Sequence, residues 1–410
     1  MTLLERYIFR RAIGYTLGSL AALVAVVWIV QVLSRIDFVR TSASAAGNLF
    51  WIALMLMPDL AAGVIPFAIL IGAVQALNGL NAATGLLASE SFTIASNPEL
   101  IVVPLFILMG NVASVTGMSR RLYDAAYSCI GQIRGGLASA TVIGCGGFAA
   151  LSGSSVASAL TMGRTALAEM DRFGYSPRLS TGVVAAGGTL GILIPPSTGF
   201  VIYAILTQQS IGRLFMAGVL PGILLLTLFI LTVMTLCWIW PEMGPKGPAT
   251  TAAEKSRAFL GAVPILSVVL VTIGGIYGGI FSPTEAAGVG AALVILIGAL
   301  SRSLTLASFW RAARSSIVTT ASVMLILISA HLINPFIALS HLPAEVSGML
   351  VTLDLGVYGT LLVILAIYLV LGCFLEGLAM LVLTLPIFMP VVLQLGIDPI
   401  WFGVLVVLTL

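Results

Sequence analysis

The stretch Gly187–Gly199, Gly-Gly-Thr-Leu-Gly-Ile-Leu-Ile-Pro-Pro-Ser-Thr-Gly, is the starting point for interpreting this chain. Apolar residues flank it at 182–186 and 200–206, and a helical membrane crossing takes about 20 apolar residues. The middle cannot be a regular helix, because Pro195 and Pro196 lack N–H donors and push the residue before them out of the α region. Non-helical backbone at membrane depth needs protein or a water-filled cavity to satisfy it, and such broken helices build transporter binding sites. The stretch therefore predicts a discontinuous membrane helix, with a plain proline-kinked span as the alternative.

The composition indicates a polytopic membrane protein. Of 410 residues, 60% are hydrophobic and 8% are charged, whereas average proteins have about 25% charged residues. The net charge is +3, and the Lys and Arg residues are spread over short loops, so nucleic acid is not an expected partner. The four cysteines show no metal or disulfide spacing. The two histidines lie outside any pairing pattern, so we expect no enzyme, no metal centre and no cofactor beyond a coupling ion.

A second informative stretch lies at residues 135–168, which contain Gly144-Cys-Gly-Gly147 and then Ser152-Gly153-Ser154-Ser155. Hydroxyls and freed carbonyls supply the oxygen ligands that hard cations such as sodium prefer. Small residues also let helices pack closely, and these residues alone leave both interpretations open. The apolar pieces are too short for two full spans before the polar loop 169–178. They predict a re-entrant helical hairpin with its tip near Ser152–Ser155.

The pattern recurs in the second part of the chain. Amphipathic segments at 118–134 and 304–316 are typical of helices lying in the membrane interface. For 118–134 a simple cytoplasmic connector is the alternative, and the sequence leaves both open. A second pair of short apolar pieces surrounds the polar residues Glu376 and Gly377. Paired interruptions in matching positions indicate inverted repeats with a binding site at the membrane midplane. The predicted fold is an all-α polytopic membrane protein, an inverted-repeat secondary transporter with re-entrant helical hairpins and broken helices.

These signals divide the chain into four parts. Residues 1–82 form a two-helix N-terminal segment, whose first apolar run is too long for a signal peptide and predicts a retained anchor. Residues 83–240 form the first half, with hairpin and broken helix, and 241–257 form a polar loop between the halves. Residues 258–410 form the second half. Within it, the pattern Ser282-Pro-Thr-Glu285 predicts a helix cap, so we interpret Glu285 as structural.

From about Thr84 to Leu410 the chain resembles the large membrane subunit of the tripartite ATP-independent periplasmic (TRAP) transporters. Many motifs in the family's order carry this resemblance, namely Pro104–Asn111, Arg134–Leu137, Ser152–Ala157, Leu190–Ser197, Phe281–Gly288, Leu383–Pro390 and Gly396–Gly403. It implies a multi-pass protein of the bacterial inner membrane that imports organic acids, such as C4-dicarboxylates and sugar acids, by sodium symport. It also implies an elevator movement, a periplasmic substrate-binding protein and a small membrane subunit as partners.

The resemblance also assigns a substrate and sodium site. Its members are the first hairpin tip and its broken-helix partner, together with the start of the second hairpin: Ser152, Gly153, Ser154, Ser155, Gly188, Thr189, Pro195, Pro196, Ser197, Glu376 and Gly377. We expect sodium at Ser154 and Thr189. We also expect Ser152–Ser155 and Gly187–Ser197 to meet, tip to broken helix.

The first 82 residues resemble a different family. Leu4–Arg11, Leu56–Leu60 and Val64–Ala68 look like the N-terminus of the lipopolysaccharide-export permeases. The second half also stops before a counterpart of Ile194–Ser197. The sequence therefore predicts a fusion or a C-terminally truncated chain. The alternatives are an export-permease subunit and a non-transporting chimeric membrane fragment.

Overall fold

The computed structural model describes residues 80–247, 250–339, 355–373 and 377–410, together with Val346, Gly348 and Leu375. Secondary structure in these ranges consists of α-helices and two short 3-10 helices, with no strand. The predicted N-terminal segment lies outside the described residues except for its last three positions, and Glu376 lies outside them as well. The all-α part of the predicted fold is therefore confirmed.

The helices of the first part of the chain end at the polar loop after residue 239. They are α1 (Leu80–Ala95), α2 (Val102–Val115), α3 (Met118–Ile130), α4 (Gly136–Ser152), α5 (Ser155–Arg172), α6 (Pro177–Leu193), α7 (Thr198–Thr207) and α8 (Ile211–Ile239). The 3-10 helices cover Pro98–Ile101 and Pro241–Met243.

The later helices contain the second hairpin. They are α9 (Ala252–Tyr277), α10 (Pro283–Leu300), α11 (Leu306–Leu339), α12 (Gly356–Gly372), α13 (Gly377–Gln394) and α14 (Pro399–Thr409). Among the described residues, seven helical stretches are long and apolar enough to cross a membrane. The polytopic prediction is thus confirmed by length and composition.

The described chain forms two compact units. One contains residues 80–97 and 321–395, and the other contains residues 98–320 and 396–410. In the second unit the core is the hairpin of α4 and α5 with α6 against it. Fifteen of the 17 residues of α4 are buried, because its run of Gly, Ala and Ser lets neighbouring helices approach closely. Helix α4 is therefore enclosed by protein.

Helix α8 has the opposite character within the same unit. It is 29 residues long, about 43 Å at 1.5 Å per residue. Only 22% of its most apolar window is buried. Leu220, Leu224 and Trp238 are 76%, 60% and 77% exposed. An apolar helix with so much exposed surface is suited to contact lipid.

Two predicted boundaries are wrong. The polarity of residues 241–257 predicts a loop, but α9 already begins at Ala252, where Thr251 and Glu254 form a capping box. The amphipathic pattern of 304–316 predicts a separate interfacial helix, but α11 runs without interruption from Leu306 to Leu339. No glycine or proline lies between residues 306 and 334, so nothing in the backbone ends the helix there.

Two other local predictions are confirmed. The amphipathic segment forms the separate helix α3, with Leu122 and Tyr123 on its buried face, while its position in the membrane interface stays a prediction. The cap at the start of α10 is present, since the Ser282 N–H donates to Glu285 Oε2 at 2.8 Å and the Glu285 N–H donates to the Ser282 hydroxyl at 3.3 Å. Glu285 therefore has the structural role that the sequence indicated.

Candidate functional site at the first hairpin tip and the broken helix

The hairpin tip is a two-residue turn, Gly153–Ser154, between α4 and α5. Gly153 has φ +59°, a left-handed conformation that disfavours any side chain. A Cβ there would lie 2.7 Å from the Pro196 carbonyl oxygen, so only glycine fits. Ser154 caps α5, because its hydroxyl accepts the Ala157 N–H at 3.4 Å. The predicted helix–turn–helix with its tip at Ser152–Ser155 is confirmed.

The broken helix is also present where the prolines predict it. Helix α6 ends at Leu193, Ile194 is extended, and α7 begins at Thr198. The Ser197 hydroxyl bridges the break, because it donates to the Ile192 carbonyl and accepts the Phe200 N–H at 3.3 Å. Polar groups freed by the break are thus satisfied by protein, as backbone at membrane depth requires.

The tip and the broken helix are in direct contact, as expected. The Gly153 carbonyl accepts two hydrogen bonds from Thr198, one from its N–H at 3.1 Å and one from its hydroxyl at 2.8 Å. Gly191 lies against the Ser154–Ser155 peptide, and a Cβ on it would come 2.4 Å from the Ser154 carbonyl oxygen. The two stretches therefore fit together through backbone atoms.

Glycines of α6 extend this contact along α5. A Cβ on Gly188 would lie 2.8 Å from the Ala159 Cβ and 3.3 Å from the Ser155 carbonyl oxygen. Pro195, Pro196 and Ser197 are buried in the break itself. These members of the predicted site shape and fix the junction.

A cavity of about 540 Å³ opens beside the tip, within the unit that contains the first hairpin. Ser152 and Ser154 line it, together with polar residues of α2, α3, α5 and α11: Asn111, Ser114, Ser119, Arg120, Thr161, Arg164, Thr165, Ser315 and Thr319. The Asn111 amide donates to the Ser316 hydroxyl at 2.9 Å, and the Ser114 and Thr161 hydroxyls lie 3.4 Å apart. The lining combines two guanidinium groups with many hydroxyls.

The structure does not bring the Ser154 and Thr189 side chains to a common cavity. The exposed Thr189 hydroxyl donates to the Ala186 carbonyl at 2.7 Å. Thr189 lines a smaller cavity of about 70 Å³ with Ser155, next to Val407 of α14. Ser155 thus lies on one side of the tip and Ser154 on the other. Gly377 begins α13 in the second hairpin.

Sequence reasoning missed three functional candidates. Thr198 bonds the hairpin tip. It lies inside the stretch Gly187–Gly199, and the signal for its role is a hydroxyl group shortly after the two prolines. Arg164 lies in the apolar, small-residue sequence of α5, where a charge should have drawn attention. Asn111 was named only as part of a family motif.

At the base of the hairpin, the Tyr175 hydroxyl accepts a hydrogen bond from a backbone N–H in the first turn of α4. The Leu137 N–H donates to the Tyr175 hydroxyl at 3.2 Å, which satisfies a donor that has no partner inside the helix. Burial raises the pKa of Tyr175 to about 12. The phenol therefore stays neutral at physiological pH and fixes the start of the hairpin.

A buried helical hairpin joined to a proline-broken helix, in a chain with several spans, defines the class of secondary membrane transporters with interrupted helices. Residues 6–410 match the family model described as "Tripartite ATP-independent periplasmic transporter, DctM component". The chain belongs to this family and is a TRAP large permease, an integral inner-membrane protein and not an enzyme.

Similar proteins agree with this family. The C4-dicarboxylate TRAP transporter large permease protein DctM of Pseudomonas aeruginosa is 36% identical over 325 residues, which are 79% of this chain and 76% of that protein. The isethionate TRAP transporter permease protein DctMQ of Oleidesulfovibrio alaskensis is 35% identical over 353 residues, 84% of this chain and 55% of that protein.

The fold is also similar to that of a solved transporter. The crystal structure of the YdaH transporter of Alcanivorax borkumensis superposes with a TM-score of 0.54 at 16% identity. The superposition covers 81% of this chain and 77% of that one. At this identity the likeness supports the fold and nothing further.

The family match also bears on the N-terminal segment. It begins at residue 6, so it includes the stretch whose motifs resemble the lipopolysaccharide-export permeases. The relatives reported above give that second resemblance no support.

Proposed function

We propose that this TRAP large permease takes up organic acids by sodium symport, and that the substrate anion binds in the cavity beside the first hairpin tip. The observation that carries the proposal is the lining of that cavity, where Arg120 and Arg164 share a surface with hydroxyl groups. Guanidinium groups bind carboxylates in a bidentate geometry. The cavity volume of about 540 Å³ is suited to a small molecule.

Substrate class follows from the same lining. Two guanidinium groups can neutralise two carboxylates, which suits a C4-dicarboxylate, and the relative from Pseudomonas aeruginosa is named for that class. Hydroxyls such as those of Ser152 and Thr161 can also bind the hydroxyl groups of a sugar acid. We therefore propose small carboxylates as substrates.

Sodium coupling is supported by the oxygen atoms at the tip. Hard cations bind carbonyl and hydroxyl oxygens, and both are concentrated at Ser152–Ser155 and at the facing end of α6. Thr198 ties the Gly153 carbonyl to the broken helix. An ion that binds the tip would therefore hold both elements in one arrangement, which is how a coupling ion can prepare a substrate site.

The elevator movement is supported by the way the hairpin and the broken helix are joined. The junction of α5 with α6 is tightly packed, because a Cβ on Gly191 would lie 2.4 Å from the Ser154 carbonyl oxygen and one on Gly188 would lie 2.8 Å from the Ala159 Cβ. Close-packed elements move together rather than deform. We propose that they travel as one body, with a small membrane subunit as brace and a periplasmic binding protein as substrate donor.

The decisive experiment is uptake in proteoliposomes that contain the full-length chain with its small subunit and binding protein. We expect labelled succinate to accumulate only with an inward sodium gradient. Arg164→Gln should raise KM by at least about tenfold, because a charged hydrogen bond is worth about 1.5–3 kcal/mol. Arg172→Gln is the matched control, since Arg172 lies on the same helix and outside the cavity.

Two results would overturn the proposal. Uptake that is equally fast with a potassium gradient would exclude sodium coupling. An equal change in KM for the Arg164 and Arg172 variants would show that the cavity does not bind the anion.

A further inference from the structure

A second cavity of about 540 Å³ lies at the base of the hairpin, on the opposite end of α4 from the tip. Its wall is formed by Gln132 and Arg134 before α4, by Met234, Thr235 and Trp238 of α8, and by Lys246 of the following loop. Arg134 and Lys246 are both exposed. Within the part of the chain that the structure describes, neither forms an ion pair with a carboxylate.

The length of α8 and the tryptophans at its end indicate that the cavity lies near the depth of lipid headgroups. Helix α8 is about 43 Å long, which exceeds the roughly 30 Å hydrocarbon core of a bilayer. The cavity is beside its last turns. Trp238 and Trp240 are 77% and 54% exposed there, and tryptophans concentrate at the membrane–water interface.

An exposed apolar stripe leads from the cavity toward the middle of the membrane. Leu224, Leu228 and Leu231 are 60%, 48% and 53% exposed. They continue the helical spacing of Thr235 and Trp238, so all five lie on one face of α8. An acyl chain attached to a molecule bound in the cavity could therefore lie along this apolar face of α8.

The loop that carries Lys246 is held in place by hydrogen bonds to the hairpin base. The Gly247 N–H donates to the Gly131 carbonyl, and the Gly135 N–H donates to the Gly244 carbonyl, both at 3.0 Å. The Gln132 amide donates to the Thr250 hydroxyl at 2.7 Å. The two cationic side chains thus extend from fixed backbone, which lowers the entropic cost of binding an anion between them.

We propose that this cavity binds the phosphate of an anionic phospholipid, with an acyl chain along the exposed stripe of α8. Guanidinium and ammonium groups both bind phosphate through charge-assisted hydrogen bonds. Basic pockets at the membrane surface are where anionic headgroups bind. Two cations without an ion pair among the described residues, an exposed tryptophan and an apolar stripe together favour a lipid over a free anion. The inference does not depend on the transport substrate.

The test is the thermal midpoint of the full-length protein in detergent, titrated with phosphatidylglycerol or with phosphatidylcholine. We expect phosphatidylglycerol to raise the midpoint and phosphatidylcholine to have a much smaller effect, because a ligand that binds only the folded protein stabilises it. The double variant Arg134→Gln/Lys246→Gln should need at least about tenfold more phosphatidylglycerol for the same rise. Lys255→Gln/Arg257→Gln, at a half-buried and an exposed position near the start of α9 and outside the cavity, should respond as the wild type does.

The outcomes are separable. An equal response of the wild type to both lipids, or of both double variants to phosphatidylglycerol, would overturn the proposal. An equal rise with inorganic phosphate would assign the cavity to a free anion and would also overturn it. Native mass spectrometry of the retained lipid gives a second measurement if the Arg134 variant is poorly folded, and Arg134→Lys should retain phosphatidylglycerol.

Discussion

The helices of the two hairpins have the same lengths, but the side chains packed between them differ. Helices α4 and α12 are both 17 residues long, and α5 and α13 are both 18 residues long. The next helix begins with proline 22 positions after the start of α5 or α13, at Pro177 and at Pro399. The repeat predicted from paired interruptions is thus visible in the element lengths.

The interiors differ in how the two arms are held together. In the first hairpin the hydroxyls of Ser152 and Ser158 lie 2.9 Å apart. In the second, the hydroxyls of Tyr368 and Thr384 lie 2.6 Å apart, and the rings of Tyr368 and Phe388 are 5.7 Å apart. The two repeats therefore share the positions at which helices end, whereas the side chains between the arms differ according to the helices packed against them. Small side chains in the first hairpin let the broken helix approach.

The largest effect should come from the bulky interior of the second hairpin. Tyr368 is fully buried, so Tyr368→Ala should lower the free energy of unfolding by about 3–5 kcal/mol through the cavity that it leaves. The measurement is the thermal midpoint of the purified protein. Tyr358→Ala is the control, because Tyr358 is on the same helix and 75% exposed. Similar losses in both variants would show that the aromatic interior does not hold this hairpin.

The opposite substitution should disturb the first hairpin. Gly191→Ala adds a Cβ 2.4 Å from the Ser154 carbonyl oxygen, and overpacking against fixed backbone costs about 1–3 kcal/mol. Gly182→Ala on the same helix meets nothing within 4 Å, so it should be neutral or slightly stabilising because alanine favours helix. Thermal midpoints of the two variants would decide this. A Gly191 variant as stable as the Gly182 variant would mean that close approach is not required.

The smallest effect should come from one hydroxyl at the junction. Thr198→Val removes the 2.8 Å hydrogen bond to the Gly153 carbonyl but leaves the backbone bond at 3.1 Å. A single hydrogen bond of this kind contributes about 1 kcal/mol. Thermal unfolding gives the loss, and hydrogen exchange at the tip should rise. Thr181→Val, whose hydroxyl bonds only its own helix, should leave exchange at the tip unchanged.

The parts of the fold that follow from local chemistry could be predicted. Pro195 and Pro196 break the helix wherever they are placed, and the serines and glycine of the tip favour a turn. The start of α9 could also have been found, because Thr251-Ala-Ala-Glu254 is a capping-box pattern. The polarity of residues 241–257 indicates a loop, whereas the capping box within it marks a helix start.

The rest depends on tertiary approach and has no local signal. That Thr198 bonds the Gly153 carbonyl follows from two segments 45 positions apart in the chain. The placement of Arg120 and Arg164 on one cavity follows from the packing of α3 and α5. Helix α11 shows that a local pattern can also mislead. The amphipathic character of its first turns predicted a helix end that the structure does not have. Amphipathicity reports a helical face, whereas a breaker residue is needed to end a helix.

The hydrogen bonds between the hairpin base and the loop after α8 have a consequence for the order in which the protein assembles during synthesis. The Gly131 carbonyl and the Gly135 N–H form hydrogen bonds with Gly247 and Gly244. Those two partners are synthesised more than a hundred residues later. Helix α8 is apolar enough to enter the bilayer by itself. Helix α4 has 17 residues, fewer than the about 20 that a helical crossing takes. We therefore expect α4 to stay at the translocation machinery until α8 and the loop after it have been synthesised. The largely exposed α8 and the loop after it thus complete the packing around the buried α4.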